Sequence, residues 1–142
     1  MKRAFLLFFV LLAVYSSVRG SIEPLPPEFH GYWVPSSGDC SSSLGIRVLP
    51  YTIQFREGEK LLSFPIEPCF SCEGGSRYDG IVVWAIPVKS ESQLFTAYFN
   101  AGERKRVAIV EVSSPELQSQ FPINNVELKP CVGDPLIGGA ER

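Results

Sequence analysis

The chain contains a single histidine, His30, among its 142 residues, and that scarcity narrows its chemistry. A Ser, His, acid triad would have to rely on it. His30 stands beside Gly31 at the start of an apolar stretch, and no G-x-S-x-G elbow occurs anywhere. An exposed or capping role is therefore expected. The phosphate-loop signature G-x-x-x-x-G-K-[ST] is absent, and the "EGG" and "GDP" stretches are too short to replace it. No long basic run exists either. The one cluster, Arg104, Lys105 and Arg106, precedes an apolar run and reads as the solvated start of a strand. Nucleic-acid readers usually carry a basic stripe, so no nucleic-acid partner is expected. From Glu28 onward, nothing of helical length follows the i, i+3, i+4 pattern, and the chain has no internal repeat or low-complexity tract.

What is present begins with "MKRAFLLFFVLLAVYSSVRG": a basic pair (Lys2, Arg3), an apolar run over positions 4–14, then small residues. That order is the order of a secretory signal peptide. The run falls short of the roughly 20 residues needed to cross a bilayer, so no membrane span is expected after cleavage. A cut before Ser21 suits Val18 and Gly20, with a cut after Ser17 as the alternative. The mature chain is then expected to be periplasmic or secreted. Losing Lys2, Arg3 and Arg19 leaves ten basic against fifteen acidic residues, a net charge of −5. About 120 residues suffice for one domain with one core. The expected organisation is a signal peptide over 1–20, an extended proline-rich lead-in over 21–27, one β domain over 28–131, and a tail over 132–142 with little to bury.

The domain reads as short apolar runs punctuated by turn residues. In "GIRVLPYTIQFREGEK", Ile46 and Val48 alternate with Arg47, and Ile53 and Phe55 alternate with Thr52, Gln54 and Arg56; Pro50 suits a tight turn between them. Gly58 turns the chain again toward a strand in which Leu62, Phe64 and Ile66 share a face. "DGIVVWAIPVK" is apolar on both faces, which suits a central or outwardly covered strand. A further hairpin carries Phe95, Ala97 and Phe99 on one face, a turn at "NAGE", then Val107 and Ile109 against Ala108 and Val110, with the inward set open. "SSPELQSQFP" is the one helix candidate, with Ser113 or Ser114 as cap, Pro115 in the first turn and Glu116 able to cap. A last strand should turn Val126 and Leu128 inward and Glu127 and Lys129 outward. About eight strands with short turns predict an all-β domain, a small antiparallel up-and-down barrel, with a two-sheet sandwich as the competing architecture.

Four cysteines in an exported chain imply two disulfides, and three pairings are open. Cys69 and Cys72 form a C-x-x-C pair, which could exchange disulfides with Cys69 as nucleophile and Cys72 as resolving thiol. Neither a βαβ pattern nor a following helix supports that chemistry, so a structural bridge is the favoured reading. A zinc site would need Cys40, Cys131 or His30 as further ligands, at spacings that do not suit one, and Glu73 rather than histidine follows Cys72, which removes covalent haem. No catalytic residue, metal or cofactor is expected. Tyr32, Tyr51, Trp84, Phe95, Tyr98 and Phe99 could line a ligand site, although aromatics at strand spacing are commonly core and a filled barrel is favoured.

Phe29, Gly31, Trp33, Cys40, Ile46, Val48, Ile53, Phe55, Leu128 and Cys131 together make an F-x-G-x-W opening, a following cysteine, an I-x-V, turn, I-x-F hairpin and a terminal L-x-x-C strand. In these the sequence resembles small exported bacterial proteins of uncharacterised function, over about positions 29–131. The G-x-W opening is also similar to that of lipocalin-like and avidin-like barrels. The resemblance implies that Trp33 packs under the barrel floor, that Gly31 permits close passage of the chain, and that Cys40 pairs with Cys131, leaving Cys69 with Cys72. That last pair and its loop depart from the pattern. The expected function is a non-enzymatic binding module for a protein or envelope component. Its alternatives are a lipocalin-like carrier of a small apolar ligand and a thiol-disulfide oxidoreductase using Cys69 and Cys72.

Overall fold

The computed structural model describes residues 23–69, 72, 83–88 and 93–132. The expected signal peptide, the "EGGSRYDG" segment and the tail from 133 onward lie outside them. Eight strands pair in chain order and close into one antiparallel barrel: β1 Gly31–Pro35, β2 Leu44–Leu49, β3 Thr52–Glu57, β4 Lys60–Cys69, β5 Val83–Pro87, β6 Phe95–Phe99, β7 Ala108–Val112 and β8 Val126–Pro130. Closure is made by β8 lying against β1, with Trp33 opposite Pro130 and Pro35 opposite Leu128. The sheet thus has no open side to pack against a second sheet, and the sandwich alternative falls away.

The first two hairpins follow directly from local sequence. Leu49 pairs with Thr52 across Pro50 and Tyr51, and Glu57 pairs with Lys60 across Gly58 and Glu59. Gly58 takes φ +60, the left-handed value that such two-residue turns require and that glycine adopts without steric cost. Strand β4 is the longest. Its first six residues pair with β3 and its last four with β5, the stagger that lets tilted strands close a barrel.

Alternation places one face of every strand inward. Trp33, Ile46, Val48, Ile53, Phe55, Ile66, Val83, Ala85, Phe95, Ala97, Phe99 and Leu128 are all buried within a single core. The two strands whose inward face was open are resolved by pairing. On β7 it is Ala108, Val110 and Val112 that point in, and on β5 Val83 and Ala85, leaving Trp84 and Ile86 half-buried outside. Leu25, within the proline-rich lead-in, is fully buried too, and its N–H donates to the Pro50 carbonyl at 2.8 Å.

Up-and-down order gives the barrel two distinct ends. One, the helix end, is covered by the β7–β8 connection, which contains α1, Pro115–Gln120. Ser114 caps it, its Oγ accepting the Leu117 N–H at 3.3 Å, and Pro115 occupies the first turn, where its missing donor costs nothing. Leu117, Phe121 and Ile123 are thereby pressed onto the core, and Phe121 meets Phe55 at 5.6 Å. Among the described residues, no helix is long and apolar enough to cross a membrane.

Two disulfides staple the fold: Cys40 with Cys131 and Cys69 with Cys72. The first ties the β1–β2 loop to the residue after β8, and so locks the two strands that close the barrel.

Candidate functional site

The other end is built around Trp33. Prolines 26 and 27 favour a 3-10 turn at Pro27–Phe29, where the N–H groups of Phe29 and His30 donate to the carbonyls of Pro26 and Pro27. That turn folds Phe29 beneath the barrel. The Trp33 indole N–H donates to the Phe29 carbonyl at 2.8 Å, so the buried indole leaves no polar atom unsatisfied. Phe29 stacks on Phe99 at 4.9 Å, and Trp33 meets Phe99 edge-on at 5.5 Å. Rings of this size bury about 150–250 Å² each, and together they close the floor. His30 takes the capping role: its Nε2 lies 2.8 Å from the Leu25 carbonyl, an acceptor, which places the proton on Nε2.

Gly31 serves the opening differently from what the barrel resemblance implies. A Cβ there would meet nothing within 4 Å, so close passage of the chain is not its reason; its φ of +119 is. Close passage occurs at Gly45, where a Cβ would lie 2.2 Å from the Trp33 carbonyl oxygen and 3.1 Å from the Tyr32 hydroxyl. The Tyr32 ring lies outside the barrel over this glycine, its hydroxyl donating to the Ser42 carbonyl, with the Arg56 guanidinium 5.8 Å above the ring.

The β6–β7 connection, 100–107, completes this end. It is longer than the "NAGE" turn read from the sequence, and four of its residues take left-handed φ: Asn100 (54°), Gly102 (62°), Glu103 (60°) and Arg106 (64°). Three of these are not glycine, and such backbone persists only where surrounding contacts hold it. Those contacts are visible. Asn100 Oδ1 accepts the Arg106 N–H at 3.1 Å, and the Ala101 N–H donates to the Val107 carbonyl at 3.0 Å. Arg104 pairs with Glu127 of β8 at 2.5 Å; that contact holds the Glu127 carboxyl below its ordinary range and Arg104 above its own.

Between the 3-10 turn and this connection lies a cleft of about 150 Å³, lined by Glu28, Phe29, Trp33, Asn100, Lys105 and Arg106. The "RKR" run is thus split in function. Arg104 is spent on Glu127, while Lys105 and Arg106 face the cleft and have no ion-pair partner among the described residues. Of these lining residues, sequence reading singled out Trp33, as the structural plug of the barrel floor, and none as a ligand contact. The signal that could have found it is a hairpin connection holding Asn, Gly and three consecutive cations, too rich in left-handed formers for a simple turn.

At the helix end, a second cleft of about 190 Å³ lies between α1 and β4, lined by Leu62, Phe64, Leu94, Ser114, Glu116, Leu117 and Gln120. Glu116 borders this cleft, and among the described residues its side chain makes no capping bond.

The six aromatics considered as ligand-lining are not brought together. Phe95 and Phe99 point inward and are fully buried. Trp84 and Tyr98 pair edge-on at 4.9 Å on the outer surface, where the Tyr98 hydroxyl donates to Glu111. Tyr32 lies outside under Arg56, and Tyr51 is exposed in the β2–β3 turn. Cys69 is the last residue of β4, opposite Trp84, and both cysteines of its pair are bonded. Among the described residues, no group of three or more His, Cys, Asp or Glu side chains is placed to hold a metal ion. No protein-family model, no curated protein and no solved structure matches the chain.

Proposed function

We propose that the mature chain is an exported, non-enzymatic binding module, periplasmic or secreted, that recognises a protein or envelope component through the ends of its barrel. One observation carries this reading: the interior is occupied by the protein's own side chains. Phe55 meets Phe64, Phe95 and Phe121 at 4.8 to 5.6 Å, while Phe29, Trp33 and Phe99 fill the opposite end. An eight-stranded barrel is just wide enough either to be filled by side chains or to hold one small ligand, and this packing favours the first. A carrier of an apolar molecule would need that space. Thiol exchange is disfavoured by the setting of Cys69 on a strand, away from any described helix N-terminus that would lower a thiol pKa.

The test compares the native mass of the gently purified mature protein with its denatured mass after thiol alkylation without reductant. The expected result is co-purification with a macromolecule and no alkylated cysteine. A small apolar molecule released from the barrel would instead make it a carrier. Alkylation at Cys69 and Cys72 would restore the oxidoreductase reading.

A further inference from the structure

We propose that the cleft at the tryptophan end binds a monocarboxylate carrying a short apolar group. The proposal rests on the reading of the barrel as a filled binding module and names what one of its ends takes.

Donors dominate the cleft. Asn100 is only 7% exposed, and its side-chain oxygen is used by the Arg106 N–H, which orients its NH2 group the other way with no acceptor among the described residues. That NH2 group is reached by solvent and stands open to a ligand. Lys105 and Arg106 add two cations with no ion-pair partner among the described residues, against the single carboxylate of Glu28. The lining therefore carries a net charge of +1 on a chain whose formal charge is −2. That balance suits a monoanion rather than a phosphate dianion, and a guanidinium matches the planar carboxylate in geometry.

The floor is apolar. Phe29 and Trp33 form it, and because the indole N–H is already bonded to the Phe29 carbonyl, it offers a ligand no hydrogen bond. A volume of about 150 Å³ equals about five waters at their liquid share. A carboxylate with three or four carbons attached fits that space. Asn100 and Arg106 are held in place before any ligand arrives, since both sit in left-handed backbone fixed by the bond between them. Such a group is carried by a small branched acid and equally by the C-terminal residue of a polypeptide.

The mature, disulfide-bonded protein would be titrated with sodium isovalerate and with isovaleramide, following the Trp33 indole N–H and the Asn100 side-chain NH2 by NMR. Isovalerate is expected to shift both signals saturably, with a Kd on the order of millimolar for so small a ligand, and isovaleramide to shift neither. Arg106→Asn, which tolerates the left-handed φ, should weaken isovalerate about tenfold by removing the charged fork. Glu28→Gln should tighten it about two- to threefold by removing the like charge. Because Glu28→Gln is a gain of affinity, a folding defect cannot imitate it. Equal binding of acid and amide, absence of a saturable shift, or unchanged affinity in both variants overturns the proposal. A valine-terminated tripeptide separates the two sources. If it binds more tightly than isovalerate and its amidated form does not bind, the natural ligand is a polypeptide C-terminus; if isovalerate binds at least as well, it is a free acid. Capture of a macromolecule that survives Arg106→Asn would leave the binding-module reading standing while the cleft reading falls.

Discussion

Gly45 shows how one residue can decide a barrel. It lies inside β2 with β1 crossing so closely that a Cβ would meet the Trp33 carbonyl at 2.2 Å, a backbone atom that cannot swing aside. Gly45→Ala is expected to destabilise the fold by roughly 1–3 kcal/mol, the range for overpacking, whereas Gly38→Ala, whose nearest contact is 3.5 Å, should stay within about 0.5 kcal/mol. Urea unfolding of the two variants checks the contrast. Sequence pointed to Gly31 and Trp33 because the G-x-W spacing is itself visible. Gly45 was not legible, since its need arises from a neighbour in another strand. The Arg104–Glu127 pair supplies a second test at this scale. The Glu127 carboxyl is lowered first by its hydrogen bond to Arg104 and further by the Arg104 charge. A depressed carboxyl contributes stability that is present above its unfolded pKa and is lost as pH falls through the lower, folded value. In an NMR pH titration, Arg104→Gln should return the Glu127 midpoint upward to the ordinary carboxylate range. An unmoved midpoint would show that Arg104 is not its cause.

Among the elements, α1 is too short to stand alone. Six residues fall well below the length at which isolated helices persist, so its stability comes from the Ser114 cap and from Leu117 seated on the core. Ser114→Ala should lower stability by about 1 kcal/mol and Ser114→Asp should largely preserve it, as N-cap exchanges do; thermal melts of both variants read the difference. Loss in both alike would mean that the cap hydrogen bond contributes little. The helix was legible because Ser, Ser, Pro is a local signal. So were the first two hairpins, where Pro50 and Gly58 punctuate a clean alternation. Strand β5 was harder. Its residues are apolar on both faces because Trp84 is covered from outside by Tyr98, and period-two reading has no polar face from which to take its phase. The β6–β7 connection was misjudged in length for a related reason. Asn100, Glu103 and Arg106 occupy left-handed backbone, which their side-chain types permit and do not announce.

For the whole molecule, the two disulfides should matter very unequally. Cys40 and Cys131 are 91 residues apart, while Cys69 and Cys72 are three apart. In the chain-entropy account, the long closure contributes roughly 4–5 kcal/mol and the short one roughly 1–2 kcal/mol. Replacing both cysteines of the first pair with serine should accordingly lower the urea midpoint far more than the same change in the second. Equal losses would mean that the short bridge stabilises through contacts of its own and not through chain entropy.

Sequence by itself determined the all-β class, the strand count, the hairpin turns at Pro50 and Gly58, and the need for two disulfides. The first three rest on signals that act within a few residues, alternation with a period of two and the φ demands of turns, and the last on an even count of cysteines. Tertiary structure alone decided which faces of β5 and β7 point inward, which aromatics became core and which became outer cover, why Gly45 has no side chain, and that Asn100, Lys105 and Arg106 share a cleft with Phe29 and Trp33. The physical reason is closure. Pairing β8 with β1 fixes the stagger of every strand between them, and only after that stagger is set do residues separated by some seventy positions meet at one end.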